Sequence, residues 1–111
     1  MSNASFNDLT SAEIERLALL AEECGECVQA ITKILRHGYR SSNPTLPPAL
    51  RVNNRTSLIR ECGDVLAAIE LMAKARDFHF HEVIDARDDK LRRVSKFLHE
   101  QDPPAAPADP R

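Results

Sequence analysis

Two short stretches of the sequence carry the same pattern of acidic side chains. Glu23 and Glu26 enclose a Cys-Gly pair, and Glu61 and Asp64 enclose another. On a helix, residues three apart lie about 60° from each other and therefore share one face. Each acidic pair lies along the flank of an apolar stripe. If the two stripes pack together, we expect the four carboxylates to converge at the border of the core.

Four converging carboxylates favour a bound cation, because like charges at short range repel in a partly desolvated site. Either some of the acids take up protons or a cation lies among them. A set of hard oxygen ligands suits Mg²⁺ or Mn²⁺, and Ca²⁺ less specifically. The alternative is a solvated acidic face, since such pairs also arise by chance when 29% of the chain is charged. The same Cys-Gly insert in both pairs favours the metal site.

The two inserted glycines, Gly25 and Gly63, add a further expectation. A glycine inside a helix costs about 1 kcal/mol relative to alanine. Close approach of another helix, with no Cβ in the way, is the expected compensation at both positions.

Three helical segments are expected to position these residues. Thr10 and Glu13 form a predicted capping box at the start of the first helix, and Gly38 is a predicted left-handed C-cap. Apolar residues then recur with a helical period in all three segments. The predicted helices span about 10–37, 54–77 and 80–99.

The remaining segments are a loop and a tail. Residues 39–54 contain three prolines, and so long a loop in a compact domain is more often functional than idle. Residues 101–111 contain four more prolines and little apolar surface, which predicts a disordered tail. No segment alternates with period two, so we expect no sheet. Residues 1–100 are therefore predicted to form one all-α helical bundle.

Composition narrows the class of protein. The net charge of −2 gives no basic face for nucleic acid, so we expect no nucleic-acid partner. No apolar run approaches the roughly 18 residues that cross a bilayer, and no secretory signal is apparent, so we expect no membrane partner. Three cysteines are an odd number and fit reduced thiols in the cytoplasm better than a disulfide framework.

The paired motifs resemble those of a known family. Glu22-Glu23-Cys24-Gly25-Glu26, followed by Glu61-Cys62-Gly63-Asp64, looks like the E-E-x-x-E and E-x-x-D signature of the MazG-like, all-α nucleoside triphosphate pyrophosphohydrolases. The resemblance extends through Asn54-Arg55 and Asp64-Val65-Leu66 and covers about residues 15–98. It implies an enzyme of nucleotide-pool housekeeping that uses Mg²⁺ to cleave an NTP or dNTP to NMP and pyrophosphate.

The resemblance also implies roles for single residues. Glu23, Glu26, Glu61 and Asp64 would be metal ligands, and Glu22 would support them or help to activate water. The separation of Glu26 from Glu61 looks longer than in compact members of the family, and the proline-rich loop accounts for the extra length. We expect that this loop could cover the base of the substrate.

Positive charge for the phosphates is expected from the third helix. Arg87 falls within the apolar stripe of that helix, and Lys90 lies beside the stripe. Both are candidate substrate-binding residues. The alternative is that Arg87 pairs with an acid at the edge of the core and that Lys90 is solvated.

Two other patterns are weaker. Cys24-Gly25-Glu26-Cys27 is formally a C-x-x-C motif, but it lies in mid-helix among acids that raise thiol pKa values, so core thiols are expected. His79 and His81 lack spaced partner ligands and indicate surface residues.

Three helices make a thin core, so we expect a homodimer or a dimer of dimers whose first two helices complete a four-helix core. The main rival function is a non-catalytic helical adaptor that binds a divalent ion or a protein partner through the same acids. A second rival, a carboxylate-bridged di-iron protein, usually needs Glu-x-x-His pairs, which neither motif contains.

Overall fold

The computed structural model describes residues 6–101, and this part of the chain contains helices and no strand. The prediction of an all-α fold is confirmed. Two compact units are present, one ending at Phe78 and the other beginning at His79. The first contains helices α1 and α2, and the second contains helix α3. The helices span Ser11–His37 (α1), Asn54–Lys74 (α2) and Phe80–Val94 (α3), with short 3₁₀ turns at Pro48–Leu50 and Ser95–Phe97.

Helix α1 begins and ends as its sequence predicts. The Glu13 backbone N–H donates to Thr10 Oγ1 at 3.1 Å, and the Thr10 N–H donates to Glu13 Oε1 at 2.8 Å. This reciprocal pair satisfies N–H groups that the first turn leaves free. At the other end Gly38 has a φ of 87° and donates its N–H to Ile34 O at 2.7 Å.

Helix α2 ends at Lys74, earlier than the predicted Asp77. Arg76 adopts a left-handed φ of 65°, and the Asp77 N–H donates to Met72 O at 3.0 Å. This bond wraps the chain back over the last turn and stops the helix. Glycine is the usual residue at such a position, so an arginine there gives no readable stop signal.

Helices α1 and α2 run antiparallel and are joined at both ends. Asn54 Nδ2, in the first turn of α2, donates to the carbonyl of Gly38 at 3.0 Å. At the far end Arg16 makes a bidentate ion pair with Asp77, with distances of 2.7 and 2.8 Å. The pair holds the pKa of Asp77 below its ordinary value, mainly through the hydrogen bonds from Arg16.

The core between these helices is small. Within residues 6–101, only Ala30, Ala68 and Met72 are buried. Two of the three are alanines, so the helices approach closely but bury few apolar atoms.

The apolar stripe of α1 is divided between two sides of the helix. Leu20 and Cys27 are half-buried. The other large members of the predicted stripe are exposed: Ile14, Leu17, Val28, Ile31 and Leu35. Within the first unit, one apolar side of α1 is therefore uncovered.

The proline-rich loop is ordered by its own polar side chains. The Arg51 guanidinium donates to Leu46 O at 2.9 Å and to Pro44 O at 3.1 Å. The Asn54 N–H donates to Ser41 O at 2.8 Å, which ties the loop to the start of α2. These bonds hold an open space between the loop and the end of α1.

Helix α3 ends at Val94, and the predicted continuation to His99 is wrong. The chain continues as the 3₁₀ turn Ser95–Phe97. The helix is strongly charged, with Asp89 pairing to Arg93 at 2.8 Å.

The predicted disordered tail, apart from Gln101, lies outside the described residues. None of the described helices is long and apolar enough to cross a membrane.

Candidate metal centre

The middles of α1 and α2 bring the four predicted acids together. Glu23, Glu26, Glu61 and Asp64 each offer one carboxylate oxygen, and these oxygens all lie within 4.8 Å of one another. Glu23 and Glu61 are half-buried, whereas Asp64 is exposed. We refer to these four residues as the acid cluster. Its convergence, expected from the helical spacing, is present in the structure.

Two carboxylate oxygens of the acid cluster lack a hydrogen-bond partner in the described part of the chain. Glu23 Oε2 and Glu61 Oε2 are shielded from solvent, and neither accepts a hydrogen bond within residues 6–101. A buried carboxylate oxygen without a donor or a cation is costly, because it has given up its hydration without replacement. Both of these oxygens belong to the acid cluster, and each could bind a cation.

The cluster raises the pKa values of its inner members. Burial is the main cause of the raised pKa of Glu23, and repulsion from Glu26 and Asp64 adds to it. For Glu61, burial again comes first, followed by the adjacent carboxyl of Glu26, which favours the protonated form. Both shifts oppose ionisation and would be reversed by a cation among the four groups.

These shifts fix the direction of a pH effect on the metal-free protein. The folded-state pKa values of Glu23 and Glu61 exceed those of the unfolded chain, so the folded state binds more protons. The resulting stabilisation is complete below the unfolded pKa. It is lost as the pH rises through the raised folded pKa.

The donor set selects a class of metal. All four groups are carboxylates, which are ligands for hard cations such as Mg²⁺, Mn²⁺ and Ca²⁺. No histidine belongs to the group, so the arrangement does not fit the Glu-x-x-His pattern of di-iron carboxylate proteins.

The other predicted site residues have different surroundings. Glu22 is exposed on α1, and its charge contributes to the raised pKa of Glu23. Arg87 and Lys90 lie on α3, in the second unit. Arg87 is exposed and pairs with its neighbour Asp88 at 2.8 Å rather than with an acid at the edge of a core. Lys90 is exposed, and phosphate binding by both residues stays a prediction.

The expectation for the two glycines is wrong within this chain. A Cβ atom added to Gly25 or Gly63 would meet nothing within 4 Å in the described part of the chain. The small residues that are buried in α1 and α2 are Ala30 and Ala68 instead.

The cysteines are free thiols, but most of them do not lie in a core. Cys24 and Cys62 are exposed, and only Cys27 is half-buried. Burial, followed by a hydrogen bond with Cys62, raises the pKa of Cys27. A raised pKa disfavours the reactive thiolate, which agrees with the expectation that the C-x-x-C motif has no redox role.

Sequence reasoning passed over Lys33. This residue lines a cavity of about 270 Å³ that opens beside Glu26 and Glu61. Lys33 follows Glu26 by seven residues, which places both on the same face of α1. This spacing is visible in the sequence, but the sequence-based expectation of phosphate-binding cations covered only Arg87 and Lys90 on the third helix.

The fold and the acid cluster define a class of protein: an all-helical chain with four carboxylates that could hold a metal ion. The family model of the MazG nucleotide pyrophosphohydrolase domain matches residues 12–99. The match covers most of the chain, including both helices of the cluster, and the chain belongs to the MazG nucleotide pyrophosphohydrolase family. Neither the curated proteins nor the solved structures contain a match.

Proposed function

We propose that this chain is a Mg²⁺-dependent nucleoside triphosphate pyrophosphohydrolase. It converts an NTP or dNTP and water to NMP and pyrophosphate, and it acts in nucleotide-pool housekeeping in the cytoplasm. The observation that carries the proposal is the acid cluster, whose four oxygens lie within 4.8 Å of one another on two helices of a MazG domain.

The roles of the acids follow from their positions. Glu23, Glu26, Glu61 and Asp64 would hold the cation, and the two shielded oxygens, Glu23 Oε2 and Glu61 Oε2, would gain the partner they lack. Mg²⁺, or Mn²⁺ in its place, would neutralise charge on the phosphoryl oxygens and lower the pKa of a bound water. The protein itself contributes a fixed frame of carboxylates, because the helices hold the four groups before substrate arrives.

Glu22 is the proposed water-activating residue. It is exposed, and its charge already acts on Glu23, so it lies close to the cluster without belonging to it. A carboxylate in this position can accept a hydrogen bond from a water molecule and orient it towards the substrate phosphorus.

A homodimer or dimer of dimers is part of the proposal. The uncovered apolar side of α1 supports it, because monomeric soluble proteins rarely leave large contiguous apolar patches exposed. A neighbouring subunit would also exclude water beside the cluster and so strengthen its charge interactions with the triphosphate.

A screen for pyrophosphate release tests the proposal. The canonical NTPs and dNTPs, together with several modified ones, are incubated with the protein in Mg²⁺, in Mn²⁺ and in excess chelator. We expect pyrophosphate from at least one substrate, with the activity lost in chelator. Glu61→Gln should abolish it, whereas Glu70→Gln, an exposed acid on the same helix, should not.

The opposite results separate the alternatives. Activity that persists in excess chelator would remove the metal from the proposal. No pyrophosphate from any nucleotide, with Mn²⁺ still bound by the cluster, would favour the non-catalytic adaptor.

A further inference from the structure

Two adjoining cavities lie between the acid cluster and the proline-rich loop, and we refer to the two together as the channel. The small cavity beside Glu26 and Glu61 shares Lys33, Asn54 and Ser57 with a larger cavity of about 710 Å³. The larger cavity lies between the last turns of α1 and the loop. Its volume is within the range of small-molecule binding sites.

The charge of the channel changes sign along its length. The small cavity contains two carboxylates of the acid cluster, whereas the larger cavity contains Lys33, Arg36 and His37 and no acidic residue. A ligand that spans both therefore meets a cation-binding end and an anion-binding end. A polyphosphate chelated to a metal has this complementarity.

Two cations of α1, Arg16 and Lys33, each lie seven residues from a glutamate of the acid cluster, and Arg16 is held by Asp77. Lys33 follows Glu26 by seven residues, which is about 10 Å along the axis and about 20° away in angle. Side chains on a helix lean towards its N-terminus, so the Lys33 stem leans towards Glu26.

Lys33 also has no ion-pair partner in the described part of the chain. No acid within residues 6–101 makes an ion pair with it, whereas Arg87, the cation expected from the sequence, is held by Asp88. An unpaired ammonium at the junction of the two cavities is available to a ligand.

We propose that Lys33 binds phosphate groups of the substrate and that the channel receives the pyrophosphate end of the nucleotide. This inference rests on the proposed function, since it assumes that the acid cluster holds a metal-bound triphosphate. The nucleoside is uncharged, whereas the departing pyrophosphate carries most of the negative charge. The cationic end of the channel therefore suits the pyrophosphate better than it suits the nucleoside.

The competing occupant of the larger cavity is the nucleoside. Its loop wall includes Leu46, Leu50 and Val52, which would contact a base without stacking on it. In that arrangement Arg36, which lines only the larger cavity, would not contribute to the binding of pyrophosphate, so an unchanged pyrophosphate affinity in Arg36→Gln would favour the nucleoside as its occupant.

The test measures inorganic pyrophosphate binding by titration calorimetry in the presence of Mg²⁺. The proteins are the wild type, Lys33→Gln, Lys33→Arg and the control Lys74→Gln, which removes an exposed lysine from the end of α2. A charged hydrogen bond predicts that Lys33→Gln weakens binding by about 10- to 100-fold. Lys33→Arg should restore part of it, and Lys74→Gln should change it less than about twofold.

Two further measurements separate binding from folding and from catalysis. Lys33 is exposed, so the melting temperature and the Mn²⁺ affinity of Lys33→Gln should match the wild type. If an NTP is turned over, the variant should have a raised KM for it.

Wild-type pyrophosphate affinity in Lys33→Gln would overturn the inference, and so would a wild type that binds no pyrophosphate. Lys33-dependent pyrophosphate binding without any nucleotide turnover would refute the proposed function but would leave Lys33 assigned as a pyrophosphate ligand. Nucleotide turnover by the wild type, together with normal pyrophosphate binding in Lys33→Gln, would support the proposed function and overturn the role of Lys33.

Discussion

A charge placed on the uncovered side of α1 should dissociate the proposed dimer. Ile31 is the position of choice, because it lies in the middle of an exposed apolar patch near the end of the helix. Its exposed fraction is 41%, and those of the flanking Val28 and Leu35 are 58% and 80%. Together these fractions equal nearly two fully exposed aliphatic side chains.

The size of the effect follows from these exposures. Covering a whole aliphatic side chain contributes about 1.5–3 kcal/mol, so the patch is worth about 3–5 kcal/mol per subunit. A symmetric pair gains about 6–10 kcal/mol against an association cost of about 4–15 kcal/mol. Ile31→Asp forfeits about 1 kcal/mol in each subunit, which weakens dimerisation by about 30-fold. The desolvation of two carboxylates adds to that loss.

Sedimentation velocity over a dilution series measures the effect. The wild type should sediment as a dimer or larger assembly at micromolar concentration, and Ile31→Asp as a monomer with reduced turnover. Ala18→Asp is the matched control, because Ala18 is exposed on α1 but lies roughly 140° around the helix from Ile31. A folded, fully active monomer of the wild type, or equal dissociation of the two variants, would refute the reasoning.

Three further predictions concern stability. The metal-free protein should become more stable as the pH falls from neutral towards the ordinary carboxyl range, because Glu23 and Glu61 have raised pKa values, and thermal melts should show a smaller gain in a Glu23→Gln/Glu61→Gln variant. Gly25→Ala should raise the free energy of unfolding by about 0.5–1 kcal/mol, since the added Cβ meets no atom within 4 Å. A loss of stability there in denaturant titrations would show that another helix packs on it. Asp77→Asn should lower the melting temperature by breaking the bidentate pair with Arg16, and an unchanged melt would show that the pair contributes nothing.

The acid cluster was predictable because it needs only helical spacing and the packing of one pair of helices. Residues three apart share a face, so each acidic pair lies on one face, and the four carboxylates converge once the stripes of α1 and α2 pack together. The start of α1 was predictable for a similar reason, since the capping box of Thr10 and Glu13 involves only residues of one turn.

Features that depend on contacts between elements were not predictable in the same way. The apolar stripe of α1 reads as one core-facing surface, but the structure divides it between the α2 contact and an exposed side. Hydrophobicity does not reveal whether the partner that covers a side chain lies in the same chain. The end of α2 was missed because Arg76 adopts a left-handed conformation without being glycine.

Product analysis with Mn²⁺ or Mg²⁺ tests the assignment of the acid cluster most directly. Nucleotide products are separated by ion-exchange chromatography and pyrophosphate is quantified in the same samples, for the wild type, Glu61→Gln and Glu70→Gln. We expect NMP and pyrophosphate in equal amounts from the wild type and from Glu70→Gln, and neither product from Glu61→Gln. NDP and orthophosphate, or undiminished turnover by Glu61→Gln, would contradict a pyrophosphohydrolase centred on the acid cluster.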